Sequence, residues 1–290
     1  MPTIQFSISN TLGKYFATTG GHTFYIASET VYQGRHGLFN TKAADGPVYK
    51  PQDYQVQYPY WASFIYPTAM CESKGSFHCL NTYDRAAFTF SFMQFAAHVP
   101  NGDFVHYLRD LLKLSTAKDY FPFLELRENR IWYVNGNTQS QLETNDSTAA
   151  LMKYLNADSQ SIDHQEQITA ARFVHWAQNS DAHRALQVKL AIELFKTNMR
   201  QHATRFNLDG WPDYICLVIC DILHQGRAKY ALIHNMLGSA ANKETVYNNL
   251  VNIGASQYAD RIKTLKLEIK KLRDSGVFGK KYNQALGAFE

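Results

Sequence analysis

Two hydrophobic patterns divide the chain. Near the N-terminus β-branched and aromatic residues cluster between glycine turns. His22-Thr23-Phe24-Tyr25-Ile26 and Glu29-Thr30-Val31-Tyr32 follow Gly20-Gly21, so strands and tight turns are expected over residues 1 to about 35. A polar, proline-containing stretch over 40–59 reads as a long loop. Helical spacing begins near Trp61. The apolar run Phe88 to His98 stops at Val99-Pro100 and reads as a further helix. Asp103 is placed to cap a helix carrying Phe104, Tyr107, Leu108, Leu111 and Leu112 on one face.

A strand pattern returns once. Arg130 to Val134, Asn135-Gly136-Asn137 and Thr138 to Leu142 form a hairpin signature, with Asn-Gly suited to a type I′ turn. From Ser147 onward the pattern is helical. Asp163 is expected to cap a helix to about Gln178, Asp181 one to about Phe206, and Pro212 to start a third with an apolar centre from Ile215 to Leu223. Gly226, Gly238 and Gly254 fall where helices should end. Tyr258, Ile262, Leu265, Ile269 and Leu272 make one narrow apolar stripe on a final, otherwise cationic helix. The expected fold class is therefore mainly α (α+β), with a small N-terminal β element and one inserted β-hairpin near 130–142. The expected segments are 1–57, a helical body over 58–254, and a cationic helix and tail over 255–290.

Charge sharpens this picture only at the C-terminus. The 290 residues carry 29 Lys plus Arg against 25 Asp plus Glu. The last 35 residues hold eight basic and four acidic side chains, which accounts for the whole net charge of +4. A neutral body with one cationic end argues against a nucleic-acid binder, which needs a broad basic stripe. It leaves room for attraction to an anionic polymer such as a cell wall. No apolar run reaches the roughly 18 residues that suggest a membrane span, and the N-terminus lacks a Sec-type signal pattern. The 18 Tyr, 18 Phe and 4 Trp lean toward core packing and permit a carbohydrate groove.

The four cysteines match no zinc or CxxC spacing. Cys216 and Cys220 read as buried thiols, and Cys71 and Cys79 are close enough in sequence to bridge a loop outside a reducing cytosol. There is no HExxH, GxSxG, phosphate-loop or GxGxxG motif, so no metal or cofactor is expected. His175, beside Trp176 and near Arg172, reads as a core histidine.

Candidate chemistry concentrates between residues 70 and 94. Glu72 ends an uncharged run from Phe64 to Cys71, where partial desolvation would favour a protonated carboxyl, as glycosidic cleavage requires. The plain alternative is a helix-terminal Glu exposed to water. Asp84 lies in a polar turn with Asn81 and Thr82, where a carboxylate stays ionised; its plain alternatives are an ion pair with Arg85 or a helix cap. Two carboxyls in contrasting settings suit an acid and a stabiliser or base. Glu72-Ser73, followed by Ser91-Phe92-Met93-Gln94, resembles the lysozyme-like superfamily and within it the lytic transglycosylase and goose-type pattern. Ser91 and Phe92 stand where that pattern has Gly and Leu. The resemblance covers roughly residues 61–100. It implies a lysozyme-like fold with Glu72 as catalytic acid, and Ser73, Met93 and Gln94 beside the substrate.

The wider segment Cys71 to His98 also resembles peptidoglycan-degrading domains of phage-like proteins and type VI secretion effectors. That resemblance implies a chain made in the bacterial cytoplasm and acting in a target cell's periplasm, with an immunity protein or secretion carrier as partner. The expected activity is cleavage of β-1,4 bonds in peptidoglycan glycan strands. Glu72 would protonate the leaving oxygen, Asp84 would stabilise charge or orient water, and Tyr83, Gln94 and Asn81 would hold the sugar. If Glu72 acts alone, it would take a proton back from a substrate hydroxyl and leave an anhydro product. Asp221, His224, Gln225 and Arg227, after an apolar helix, are further candidates for binding sugar or peptide; their plain reading is an ordinary helix C-terminus. The rival readings are a wall-binding module without catalysis and a scaffold whose cationic final helix docks on a partner.

Overall fold

Two-residue turns with left-handed backbone fold the N-terminal segment into a sheet. In a computed structural model, which describes residues 3–40, 45–158, 160–238 and 242–290, β1 (Ser7–Thr11), β2 (Lys14–Thr19), β3 (His22–Tyr32) and β4 (Arg35–Phe39) pair in antiparallel order. Leu12-Gly13, Gly20-Gly21 and Gln33-Gly34 connect them, each with both residues at positive φ, as a type I′ turn needs. Residues 41–44 of the expected 40–59 loop lie outside the described residues. The rest of that loop includes a short helix, Pro51–Tyr54.

The chain divides into two compact units, residues 1–48 with 73–190 and residues 49–72 with 191–290. These cuts differ from the segments read from the pattern, because periodicity registers local spacing and not which distant segments pack together.

In the first unit the sheet is larger than expected. β5 (Leu80–Asn81), β6 (Thr89–Phe90) and β7 (Phe95–Ala96) extend it to seven strands, through the pair Phe39 and Asn81. The stretch from Phe88 to His98 is therefore a tight hairpin rather than a helix. Ser91 and Gln94 both take positive φ, which an α-helix excludes. Its apolar residues are continuous because both faces are covered. Phe88 and Phe90 each lie 5.1 Å from Phe173 between ring centres, and Phe121 lies 5.0 Å from it. Phe173 sits on the helix His164–Asn179, capped by Asp163 as expected, with its side chain accepting from the Glu166 amide. Asn40 joins three segments, donating to Ile26 O and His78 O and accepting from the Leu80 amide.

Other local expectations shift by small amounts. The helix Asp103–Leu111 is capped by Gly102, and Asp103 stands in its first turn. The hairpin gains a strand: β8 (Leu124–Arg127), β9 (Arg130–Asn135) and β10 (Thr138–Gln141) form a three-stranded sheet. Its type I′ pattern falls on Glu128-Asn129. At Gly136-Asn137 only the glycine has positive φ, the pattern of a II′ turn.

In the second unit the helix Asp213–Gln225 is buried along Ile215 to Ile222. Around it lie Trp61–Phe64, the Tyr66–Ser73 helix up to Glu72, the later part of Asp181–Phe206, Tyr230–Gly238, Lys243–Val251 and Ala259–Asp274. The final helix buries Ile262, Leu265 and Ile269 of the expected stripe. Buried Asp213 accepts from the Tyr60 hydroxyl and from the Gly279 and Lys280 amides, and so clips down the end of the chain, where β11 (Tyr282–Asn283) pairs with β12 (Ala288–Phe289). Among the described residues no helix is long and apolar enough to cross a membrane, and all four cysteines are free thiols, so the bridge between Cys71 and Cys79 is not formed.

Glu166 gives the first unit a titrating core. It is fully buried and takes a short hydrogen bond from the Thr82 hydroxyl. Burial pushes its carboxyl up to about 8, against the Thr82 bond and with help from nearby Asp163. A carboxyl that binds its proton more tightly folded than unfolded loses stability as pH rises through that interval. Unfolding by urea is expected to become easier between about pH 5 and pH 8, by up to roughly 4 kcal/mol, and Glu166→Gln to flatten that slope. An unchanged slope in the variant would show that Glu166 is not its source.

Candidate active site

The segment Tyr66–Ser73 forms a helix because seven of its eight residues are uncharged and Pro67 sits near its start, where a missing amide costs nothing. It stops because Lys74 and Gly75 both turn left-handed, at φ 55° and 79°. Glu72 is thus delivered at a helix end with its side chain 15% exposed.

What surrounds Glu72 in the second unit is charge rather than apolar wall. Arg261 Nη2 lies 2.7 Å from Glu72 Oε1, and His224 Nε2 lies 3.7 Å from the same oxygen. Arg261 is held from behind by Asp221: its Nη2 is 2.7 Å from Asp221 Oδ1 and its Nε donates to Oδ2. Arg227 pairs with the other side of Asp221 and donates to Ile253 O. Three helices supply these groups: Glu72 from Tyr66–Ser73, Asp221 and His224 from Asp213–Gln225, and Arg261 from Ala259–Asp274. Arg227 follows the left-handed Gly226 cap, and its amide closes on Ile222 O.

The electrostatics follow from burial and pairing. Burial alone would raise the carboxyl of Asp221, but Arg261 and Arg227 outweigh it and hold it below the ordinary range. Burial likewise works against the Arg261 cation, and Glu72 and Asp221 more than restore it, so Arg261 stays charged. Both charged contacts of Glu72 fall on Oε1. Among the described residues Oε2 carries no hydrogen bond.

The other sequence candidates divide sharply. His224, 14% exposed, stands beside Glu72. Asp221 and Arg227 have fully buried side chains, which excludes contact with a ligand and makes them supports for Arg261. Gln225 is half-buried, with a buried Oε1 that has no partner among the described residues. Ser73, Asn81, Tyr83, Asp84, Met93 and Gln94 belong to the first unit. Ser73 is buried and donates to Phe92 O, and Met93 is wholly buried, so both act in packing. Gln94 spends its amide on Cys79 O and Ser91 O. Asp84 accepts from Asn81 Nδ2 at 3.1 Å and from the Ala86 amide at 2.8 Å, an Asx turn rather than a pair with Arg85 or a helix cap. Tyr83 packs edge-on against Tyr32 and Phe39.

Arg261 is the member that sequence reasoning missed. In the sequence it is one of eight basic residues in the cationic C-terminal segment. The available signal was its place four residues before Leu265, on the flank of the apolar stripe. Burial pushes the Cys71 thiol well above its ordinary range. His78 is lowered to about 4 by burial. His175 is half-buried rather than in the core, bonded to the Tyr120 hydroxyl and packed against Phe6 and Phe24. Among the described residues no three His, Cys, Asp or Glu are grouped to hold a metal ion. No family model matches the chain, and no curated protein or solved structure does.

Asp221 tests the support. Asp221→Asn leaves two buried guanidiniums with half their countercharge, and a loss of about 3 kcal/mol is expected in urea unfolding at pH 7. Because the folded carboxyl titrates below its unfolded value, this contribution is present above about pH 4 and is lost on acidification. A variant as stable as wild type at pH 7 would remove Asp221 from that role.

Proposed function

We propose that this chain is a lysozyme-like glycan-strand hydrolase acting on the β-1,4 bonds of peptidoglycan, with Glu72 as general acid. The observation that carries the reading is the anchoring of a single Glu72 oxygen. Buried ion pairs contribute little net stability, since desolvation offsets their attraction. Here Asp221 and Arg227 nonetheless fix one guanidinium against one partly exposed carboxyl. That arrangement holds the Glu72 carboxyl in one place, and general acid catalysis needs a positioned carboxyl.

In the proposed reaction Glu72 Oε2 gives its proton to the glycosidic oxygen as the carbon–oxygen bond breaks. The sugar left behind carries positive charge until water adds to it and returns a proton to Glu72. The setting proposed with this activity is an antibacterial effector delivered to a target cell's periplasm, with an immunity protein or carrier as partner.

A second form of the chemistry draws support from Asp221. Asp221, which shares Arg261 with Glu72, is committed to two arginines and is not free to act as base or nucleophile. Glu72 alone would then reclaim a proton from the substrate's own hydroxyl and leave an anhydro sugar. A binding module with a purely structural Glu72 is the reading to defeat, because Arg261 satisfies Glu72 without substrate.

Clearing of purified peptidoglycan separates these readings. Glu72→Gln keeps the shape and removes the titrating proton, so cleavage is expected to fall by about 100-fold or more while wall binding persists. Equal clearing by both proteins would take Glu72 out of the mechanism, and binding without clearing by wild type would favour the module. Mass spectrometry of the fragments distinguishes hydrolysed ends from ends lighter by one water.

A further inference from the structure

His224 belongs to two environments in the second unit. It stands beside Glu72, and it also lines a groove of about 490 Å³ with Asn198, Gln201, His202, Lys229 and Tyr230. Asn198, Gln201 and His202 are spaced to share one face of the helix Asp181–Phe206. The left-handed Gly226 cap turns the chain so that Lys229 and Tyr230 line the same groove.

The chemistry of this lining is selective. Among the described residues, the side chains of Asn198, Gln201 and Lys229 make no hydrogen bond or ion pair within the protein. Two amides offer paired donors and acceptors, which match acetamido and hydroxyl groups. His202 is buried and lowered to about 4 by desolvation and by nearby Arg205, so at neutral pH it is an uncharged imidazole that can also accept. Tyr230 is 45% exposed, and Arg205 packs over its ring at 4.0 Å. Lys229 supplies the unpaired positive charge.

We propose that this groove is a subsite for an N-acetylated amino sugar bearing a carboxylate, with Asn198 and Gln201 reading its amide and hydroxyls and Lys229 pairing with its acid. The inference rests on the glycan-cleaving reading and deepens it: His224 links the subsite to Glu72, so a strand held here is presented to the proton donor.

The test titrates the Glu72→Gln protein with two probes: a neutral tetramer of N-acetylglucosamine, and a wall tetrasaccharide alternating N-acetylglucosamine with N-acetylmuramic acid. Lys229→Gln in that background is expected to weaken the acidic probe about tenfold and to leave the neutral one within about twofold. Asn198→Ala with Gln201→Ala is expected to weaken both by about tenfold. Unchanged binding of both probes in all variants, with wall cleavage by wild type intact, overturns the subsite and leaves the cleavage reading standing. Equal loss of both probes on Lys229→Gln overturns the carboxylate assignment. Failure of either probe to bind, where wild type cleaves the wall, overturns the subsite as well. No binding together with no cleavage by wild type overturns both. Urea midpoints of the variants, expected to match the parent, exclude unfolding as the cause.

Discussion

A buried aspartate between two arginines is the constraint on which the candidate site depends. Asp221 could not remain ionised without both guanidiniums, and Arg261 could not be held against Glu72 without Asp221. The network joins the ends or flanks of three helices that apolar packing alone would allow to slide. Charge fixes them because a misaligned buried ion pays its desolvation without return. The geometry at Glu72 is thus set by groups that no ligand can reach.

The first unit uses buried polar groups in the same way but resolves them differently. Glu143 is held between Arg109 and Arg130 and bonded by the Ile131 amide; burial would raise its carboxyl, and these partners bring it below the ordinary range. Glu166 faces a hydroxyl instead of a guanidinium, and burial wins. Two glutamates with inaccessible side chains are displaced in opposite directions: guanidinium partners lower Glu143, and deeper burial with only a hydroxyl partner raises Glu166. By the same logic, Glu72 cannot be understood from the apolar run before it, because Arg261 comes from the far end of the chain.

The resemblance that includes Glu72 rests on a short stretch, and the structure divides that stretch by role. Ser73 and Met93 are packing residues, and Gln94 secures a tight hairpin. The groove beside His224 lies outside the stretch altogether. The functional reading therefore leans more on the charge network than on the motif.

Local signals carried much of the secondary structure. The helices after Asp163 and Pro212, the Gly226 cap and the final apolar stripe were legible because caps and periodicity are properties of neighbouring residues. Phe88 to His98 misled because a strand covered on both faces has the same unbroken apolar run as a buried helix. The place of Asn-Gly in its turn depended on strand register, which is a pairing between strands. Glu72 was visible as a lone acid after an apolar run, and His224 as a polar helix end. That they meet, that Arg261 joins them, and that Asp221 and Arg227 serve from behind were decided only by folding. Spacing along a chain records which residues share a face, whereas electrostatic partners are chosen by distance in space.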